Sequence, residues 1–308
     1  MTGSPVLGAV EAGGAKFVCA IGSGPHDLIQ ATIPTTTPAE TLERVIQFFR
    51  GHLHSRPLAA LGVASFGPVD LDPRSPAFGH ITSTPKPDWR NIDICGVLRR
   101  ALNAPIGFDT DVNAAALAEA RWGAARGLDN VLYLTVGTGI GGGALANGSP
   151  LHGLIHPEMG HIRIPHNRDE DPFPGVCPFH GNCFEGLASG LAMELRWGVK
   201  AERLEPDHPA WRLEARYLGL GLANLVCVLS PRRIVAGGGV MHNLDLFPMI
   251  RQNLRECLNG YVQSPDILES IETYLVPPLL GDDAGVLGGL VLAERALAEK
   301  ALVERVIT

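Results

Sequence analysis

Four residues that commonly bind metal ions lie in one loop-forming stretch of this chain. Cys177, His180 and Cys183 form a C-x₂-H-x₂-C pattern, and His161 lies 15 intervening residues upstream. Two thiolates and two imidazoles make a complete tetrahedral set for Zn²⁺, and four protein ligands leave no open position for catalysis. We therefore predict a structural zinc site. Three other histidines are alternatives to His161: His152, His156 and His166.

Two glutamates lie beside these ligands. Glu158 is three residues before His161, and Glu185 is two residues after Cys183. If the first segment is helical, the spacing puts Glu158 and His161 on one face, so that His161 holds the metal while Glu158 faces a cleft. A bound metal would also fix the chain next to Glu185. The alternative is that both are solvated surface acids.

Asp111 lies between a short apolar stretch, Ile106–Phe108, and an alanine-rich segment that predicts a helix. A carboxylate at such a junction either caps the helix or accepts a proton from a hydroxyl group during phosphoryl transfer. Asp109 and Asn113 lie beside it, and this polar cluster favours a catalytic base.

Two strand–turn–strand units carry glycine-rich turns, EAGGAK at 11–16 and GTGIGGG at 137–143. Backbone N–H groups in such turns can surround a phosphate, and glycine lets the backbone approach it closely. The predicted contacts are Gly13, Gly14, Gly137, Thr138 and Gly139. Lys16 is either a further phosphate contact or a solvated side chain. No helix follows the second turn, which argues against a dinucleotide-binding fingerprint.

A third glycine cluster follows a predicted strand at 234–236. Gly237 and Gly238 would let the flat adenosine part of a nucleotide approach the backbone, whereas the alternative is close packing of helix on strand. Both interpretations require small residues at this place.

Composition excludes several classes of protein. The net charge of −7 and the absence of a Lys/Arg-rich run argue against nucleic acid as a partner. The apolar run Leu218–Leu229 is too short to cross a bilayer, and no signal peptide precedes the first strand, so we expect a soluble cytoplasmic protein. Four cysteines outside the zinc pattern are predicted to be core residues: Cys19, Cys95, Cys227 and Cys257.

Strand and helix patterns alternate along the chain, which predicts the α/β class. The two glycine-turn units suggest two α/β domains of similar build, at residues 1–118 and 119–308, with a cleft between them. We also expect the last helix to pack on the N-terminal domain.

The chain resembles the ROK (repressor, open reading frame, kinase) sugar kinases, and more narrowly their zinc-containing bacterial fructokinases. The resemblance covers nearly the whole sequence, in nine motifs that occur in the family's order. They are EAGGAK at 11–16, FGPVD at 66–70, TSTPKPDW at 82–89, DTDVNAA at 109–115, TVGTGIGGG at 135–143, HPEMGH at 156–161, CPFHGNCFEGLASG at 177–190, AGGGV at 236–240 and GDDAGVLGG at 281–289.

This resemblance implies an actin-like, ribonuclease H-like ATPase fold of two domains and phosphorylation of a hexose by ATP with Mg²⁺, D-fructose giving fructose 6-phosphate. Asp111 would be the catalytic base, and the glycine turns would hold the nucleotide. The zinc ligands would be His161, Cys177, His180 and Cys183. The implied sugar contacts are Glu158, His161, Glu185, Gly67 and Asn113. A homodimer is also implied.

Two departures from the family pattern are informative. Ala15 replaces the threonine usual in the first turn, which removes a hydroxyl group that could contact phosphate. Glucokinase-like members carry a cysteine-richer C-x-C-G-x₂-G-C stretch, whereas one ligand here is a histidine, and this favours a fructokinase. The repressor members carry an N-terminal helix-turn-helix, and we expect none here, because the first hairpin begins at Val6. The alternatives are a kinase for mannose, glucose or N-acetylmannosamine, and a sugar-binding regulator without turnover, which Ala15 alone favours.

Overall fold

The structure is a computed structural model that describes residues 5–53, 56–84 and 86–307. Its strands are β1 Val6–Ala12, β2 Lys16–Gly22, β3 Ile29–Pro34, β4 Leu58–Ser65, β5 His80–Ile81, β6 Ile92–Asp93, β7 Ile106–Thr110, β8 Val131–Val136, β9 Ile140–Ala146, β10 Ser149–Pro150, β11 Arg233–Gly237 and β12 Leu275–Val276.

Ten α-helices accompany these strands in the described part of the chain. They are α1 Pro38–Leu53, α2 Ile94–Leu102, α3 Asp111–Trp122, α4 Phe184–Ala188, α5 Gly190–Trp197, α6 Ala210–Leu229, α7 Leu246–Leu258, α8 Pro265–Leu268, α9 Ile271–Tyr274 and α10 Ala284–Ile307. Short 3-10 helices lie at Met159–His161, Ala201–Arg203, Gly239–His242 and Gly281–Asp283.

The chain divides into two compact units. Unit 1 comprises Met1–Trp122, Pro150–His156 and Asp282–Thr308, and unit 2 comprises Gly123–Ser149 and Pro157–Gly281. The expected domains were residues 1–118 and 119–308, with the last helix packed on the first of them. In the observed units two later segments group with the N-terminal part, and one of these contains the last helix, α10.

Unit 1 contains a five-stranded sheet in the order β3-β2-β1-β4-β7. β1 and β2 form the predicted antiparallel hairpin, whereas β4 is parallel to both β1 and β7. Ser65 pairs with Ala12 on one side and with Thr110 on the other, so three parallel strands end at one level. The chain therefore delivers the first glycine turn, Gly67 and Asp111 to the same edge of this sheet.

One face of this sheet packs against α1 and α2. Val45, Phe49 and Leu98 from these helices are buried with Phe17 and Val63 from the strands. Burial of these apolar side chains stabilises the unit, at roughly 1.5–3 kcal/mol for each large one.

Helix α10 packs on the sheet of unit 1 so closely that glycine is required at the contact. A Cβ on Gly62 of β4 would lie 1.7 Å from the Gly289 carbonyl oxygen, and one on Gly107 of β7 would lie 2.2 Å from that of Leu292. A Cβ on Gly288 of α10 would lie 2.0 Å from the Ala114 carbonyl oxygen of α3. The small residues of α10 thus let helix and sheet backbones touch.

Unit 2 contains a second five-stranded sheet, in the order β10-β9-β8-β11-β12. β8 and β9 form an antiparallel hairpin, and β11 is parallel to both β8 and β12. The order repeats that of unit 1, with a hairpin on one side and parallel strands on the other. This confirms the α/β class and the similar build of the two glycine-turn units.

The cysteine prediction was half wrong. Cys19 and Cys95 are fully buried, whereas Cys227 and Cys257 are exposed. Cys227 lies on the outer face of α6 next to Val228, which is 78% exposed. The apolar run at this place in the sequence therefore belongs to a helix that has one exposed face.

Within the described residues, no helix is both long and apolar enough to cross a membrane.

Candidate functional site

Asp111 is the first residue of α3 and is not the residue that caps this helix. Thr110 has that role, because its hydroxyl oxygen accepts the Asn113 N–H at 3.2 Å. The Asp111 carboxylate accepts the adjacent Val112 N–H at 2.9 Å. The structure therefore weakens the capping interpretation and leaves Asp111 half-buried at the sheet edge.

Asp109 is buried and is held by three donors. Its carboxylate accepts the Thr110 N–H at 2.7 Å and the Asn113 side-chain amide at 2.7 Å, and it pairs with His152 Nε2 at 3.0 Å. The hydrogen bond to Asp109 raises the pKa of His152 above its ordinary value. Asp109 thus fixes the local chain next to Asp111.

Asn113, expected among the sugar contacts, is buried on α3. Its amide nitrogen serves Asp109, while its Oδ1 has no hydrogen-bond partner among the described residues. Its observed contact is with Asp109, and its contact with the sugar stays a prediction. Gly67 lies half-buried just after β4, at the same edge as Asp111.

The first glycine turn is closed by a hydrogen bond from the Gly13 N–H to the Lys16 carbonyl, at 2.9 Å. A Cβ on Gly13 would lie 2.6 Å from that oxygen, whereas one on Gly14 would meet nothing within 4 Å. The Lys16 side chain is exposed. Thr35, the residue after β3, supports the turn, since its hydroxyl donates to the Gly13 carbonyl at 2.8 Å.

Glu11, which sequence analysis did not select, lies at the end of β1 beside this turn. Burial, followed by the negative charge of Asp111, raises the pKa of Glu11 to about 7, although Lys16 opposes the shift. Asp282 and Asp283 add smaller contributions in the same direction. The position of Glu11 at the end of a buried strand is the sequence feature from which this group of carboxylates could have been predicted.

The second glycine turn is held at both ends by the segment around α4. The Gly190 N–H donates to the Gly137 carbonyl at 2.7 Å, and the Ile140 N–H donates to Glu185 Oε2 at 3.0 Å. A Cβ on Gly139 would lie 2.5 Å from that same carboxylate oxygen. Glu185 is therefore in direct contact with the turn that carries Thr138.

Gly237 and Gly238 end β11 in tight surroundings. A Cβ on Gly237 would lie 2.7 Å from the Tyr133 hydroxyl, and one on Gly238 would lie 2.6 Å from the Val136 carbonyl. Gly238 also has φ of 93°, a conformation that glycine adopts readily. Close packing, against a side chain at Gly237 and against backbone at Gly238, thus accounts for both glycines, and their nucleotide contact stays a prediction.

The four predicted zinc ligands come together in unit 2. One donor atom from each of His161, Cys177, His180 and Cys183 lies within 4.8 Å of the others. Cys177 Sγ is 3.7 Å from His161 Nδ1 and 3.5 Å from His180 Nδ1, and Cys183 Sγ is 3.6 Å from His161 Nδ1. Around a tetrahedral zinc ion, a sulfur and a nitrogen ligand lie about 3.6 Å apart. The donor chemistry and spacing therefore fit zinc.

The local backbone explains why these donors converge. Cys177 and Gly181 exchange two backbone hydrogen bonds, which returns the chain from Cys177 towards Cys183. The Cys183 sulfur caps α4 by accepting the Gly186 N–H at 3.4 Å. His161 ends a 3-10 helix that directly follows Glu158, and Glu158 is exposed.

The three alternative histidines have other partners. His152 pairs with Asp109, as described above. His156 Nε2 accepts the Val69 N–H at 3.1 Å, and His166 lies against buried Asp171. His161 is thus the histidine that joins the C-x₂-H-x₂-C residues.

Comparison with known proteins gives a consistent result. The family model described as "ROK family" matches residues 7–296. A fructokinase from Zymomonas mobilis is 46% identical over 94% of this chain and 97% of its own length, and one from Pediococcus pentosaceus is 41% identical over 95% and 99%. The crystal structure of a ROK hexokinase from Thermus thermophilus superposes with a TM-score of 0.77 at 29% identity, covering 96% of this chain and 99% of that one. The α/β units described here thus have the actin-like ATPase fold.

Proposed function

The chain belongs to the ROK family, and we propose that it is an ATP-dependent kinase that converts D-fructose to fructose 6-phosphate. Relatives named fructokinase match at 38–47% identity over nearly the whole chain. The single structural observation that carries the proposal is the environment of Asp111, which is held at a sheet edge but is not used as the helix cap.

In this mechanism Asp111 accepts the proton of the attacking sugar hydroxyl group as that oxygen meets the γ-phosphoryl group. Thr110 caps α3, and Asp109 is fixed by His152 and Asn113, so the segment is held on both sides of Asp111. Preorganisation of this kind keeps the base within reach of the hydroxyl and avoids an entropic cost during reaction.

Each unit would contribute to nucleotide binding through its own glycine turn. In unit 1, Gly13, Gly14 and Lys16 would contact phosphate oxygens. Gly14 suits this role because the space beside it is open. In unit 2, the contacts would be Gly137, Thr138 and Gly139 for phosphate and Gly237 and Gly238 for the adenosine.

The carboxylates near the first turn fit Mg²⁺, because hard oxygen donors are what this ion requires. The negative charges of Asp111, Asp282 and Asp283 are close enough to Glu11 to raise its pKa. The chemistry that Mg²⁺ supplies when bound is neutralisation of charge on the transferring phosphoryl group.

The metal cluster in unit 2 would hold a structural zinc ion, with no role as a Lewis acid, because all four positions are taken by protein ligands. His161, Cys177, His180 and Cys183 would be the ligands. Glu158 and Glu185, which adjoin them, are the proposed sugar contacts in this unit, together with His161. Gly67 and Asn113 are the proposed contacts in unit 1.

The decisive experiment is a coupled ADP-release assay over fructose, mannose, glucose and N-acetylmannosamine, with kcat/KM compared between sugars. We expect fructose to be preferred. Asp111→Asn should lower kcat by about 10²–10⁴-fold while sugar binding survives, since the general base is lost and its shape is kept. Sugar binding without ADP release from any hexose would instead identify a regulator.

The cytoplasmic location and the homodimer stay predictions.

A further inference from the structure

The second glycine turn is enclosed by two segments that both carry metal-cluster residues. On one side, the α4–α5 segment binds the two ends of the turn, through Glu185 to the Ile140 N–H at 3.0 Å and through the Gly190 N–H to the Gly137 carbonyl at 2.7 Å. These two bonds leave the turn little freedom relative to α4.

On the other side, the 3-10 helix Met159–His161 packs on the same turn. A Cβ on Gly160 would lie 2.0 Å from the Ile140 carbonyl oxygen. A Cβ on Gly142 would lie 2.6 Å from the Met159 sulfur. Ile140 is therefore held through its N–H by Glu185 and contacted at its carbonyl by Gly160.

The metal cluster joins these two segments directly. His161 directly follows Gly160, and Cys183 is two residues before Glu185. The distance between His161 Nδ1 and Cys183 Sγ is 3.6 Å. Cys183 also caps α4, the helix that carries Glu185. A metal bound to both side chains would thus fix the distance between the two segments that enclose Ile140.

We propose that Glu185 is a positioning residue for the second glycine turn, and that the four-residue metal cluster stabilises this turn through Glu185 and Gly160. Metal binding would then control affinity for the nucleotide even when no sugar is present. The identification of the ligand as a nucleotide phosphate rests on the proposed function, whereas the mechanical link between cluster and turn does not.

The physical reason is preorganisation. A glycine turn binds phosphate through N–H groups that point in a common direction, and glycine itself does little to restrict that direction. Ordering such a turn at the moment of binding would reduce affinity. Glu185 and Gly160 order the turn before the ligand binds. Glu185 accepts a hydrogen bond from Ile140, the residue that ends the turn, and Gly160 contacts the carbonyl group of the same residue.

The first test is hydrogen–deuterium exchange of residues 137–142 in the full chain without any ligand. We compare zinc-loaded and chelated protein, and then zinc-loaded Glu185→Ala and Glu185→Gln. Exchange should be at least about tenfold faster after chelation and in Glu185→Ala, since a charge-assisted hydrogen bond is lost or loosened. Glu185→Gln retains an acceptor oxygen and should stay within about threefold of the parent.

The second test is the Kd for ADP, measured calorimetrically without sugar. Chelation and Glu185→Ala should each weaken ADP binding by about tenfold, because the turn must then be ordered on binding. Glu202→Ala, at an exposed position in the same unit, is the matched control and should change neither exchange nor Kd.

Gly160→Ala approaches the same contact from the other side and keeps the proposal testable if Glu185→Ala does not fold. Its methyl group must displace the Ile140 carbonyl, so exchange of the turn should accelerate. Gly51→Ala is its control, since a Cβ there meets no atom within 4 Å.

Two results would overturn the proposal. Unchanged exchange of residues 137–142 after chelation would remove the metal from the positioning of the turn. An ADP Kd within twofold of the parent in Glu185→Ala, together with lost sugar binding, would show that Glu185 is a sugar contact only. Failure of the kinase assay would leave the exchange result intact, so the two proposals fail separately.

Discussion

Asp109 and Asp111 are two residues apart and yet differ in what they can do. Asp109 is buried with three hydrogen-bond partners, whereas Asp111 begins α3 at the edge where three parallel strands end. The carboxylate of Asp109 already accepts several hydrogen bonds and has a structural role, whereas Asp111 is the proposed proton acceptor. The difference arises because Thr110, rather than Asp111, caps α3 and because His152 pairs with Asp109.

His152 provides a pH-dependent test of this arrangement. Because Asp109 raises its pKa in the folded state, the stabilisation is fully present below the unfolded-state pKa of about 6.5 and is lost as pH rises through the folded-state pKa. His152→Gln should therefore lower the free energy of unfolding more at pH 5.5 than at pH 8.5.

Urea denaturation of parent and variant at both pH values measures this difference. The effect should be modest, since the His152 side chain is 41% exposed and solvent screens the pair. An equal loss at the two pH values would show that the ion pair with Asp109 does not contribute.

At the scale of elements, the four-residue metal cluster lies in a segment with little regular secondary structure. Residues 161–183 contain no α-helix and only isolated bridges, at Arg163 with Cys183 and at Cys177 with Gly181. Buried Asp171 of this segment pairs with Arg196 of α5 at 3.2 Å. We expect the segment to be stabilised by this ion pair and, when the cluster binds zinc, by the metal.

Chelation should accordingly lower Tm by about 5–10 °C, because a structural zinc contributes directly to folding. Metal analysis should find one zinc per chain, and Cys177→Ser should lose it. Cys257→Ser, at an exposed cysteine outside the cluster, is the control. A protein that contains no zinc as purified and has the same Tm with chelator would contradict the structural site.

The contact of α10 with β4 supports a second prediction at this scale. Gly62→Ala places a methyl group 1.7 Å from the Gly289 carbonyl, so helix and sheet must separate. We expect a loss of about 1–3 kcal/mol in the free energy of unfolding.

The control for this substitution is Gly51→Ala on α1, where the added methyl group has open space. It should stabilise the protein slightly, since alanine favours helix over glycine. Equal stability of Gly62→Ala and parent would show that the close packing of α10 is not needed.

For the whole molecule, sequence patterns were sufficient for the α/β class, the two glycine hairpins and the four members of the metal cluster. Ligand spacing and turn residues are local patterns, which can be recognised in the sequence. Contacts between segments that are far apart in the chain cannot be recognised in this way. The proximity of Glu11 to Asp283 and the hydrogen bond between Glu185 and Ile140 were therefore not predicted. The packing of α10 on the N-terminal part of the chain was expected, but the glycines that make this contact close could not be identified from periodicity.

The same limit explains the error about two of the cysteines. Cys257 was expected in the core because its neighbours are apolar, whereas helix α7 exposes it. The direction of the side chain, rather than the local composition, determined this outcome. The amide nitrogen of Asn113 donates to buried Asp109, and the contact of Asn113 with the sugar stays a prediction.

The central claim is transfer of phosphate from ATP to fructose, and the most direct measurement is identification of the product. The purified protein is incubated with ATP, Mg²⁺ and an equimolar mixture of fructose, glucose, mannose and N-acetylmannosamine, and the sugar phosphates are resolved by ³¹P NMR. The account predicts fructose 6-phosphate as the main product and almost none with Asp111→Asn. Absence of any sugar phosphate, or a predominant product from another hexose, would contradict it.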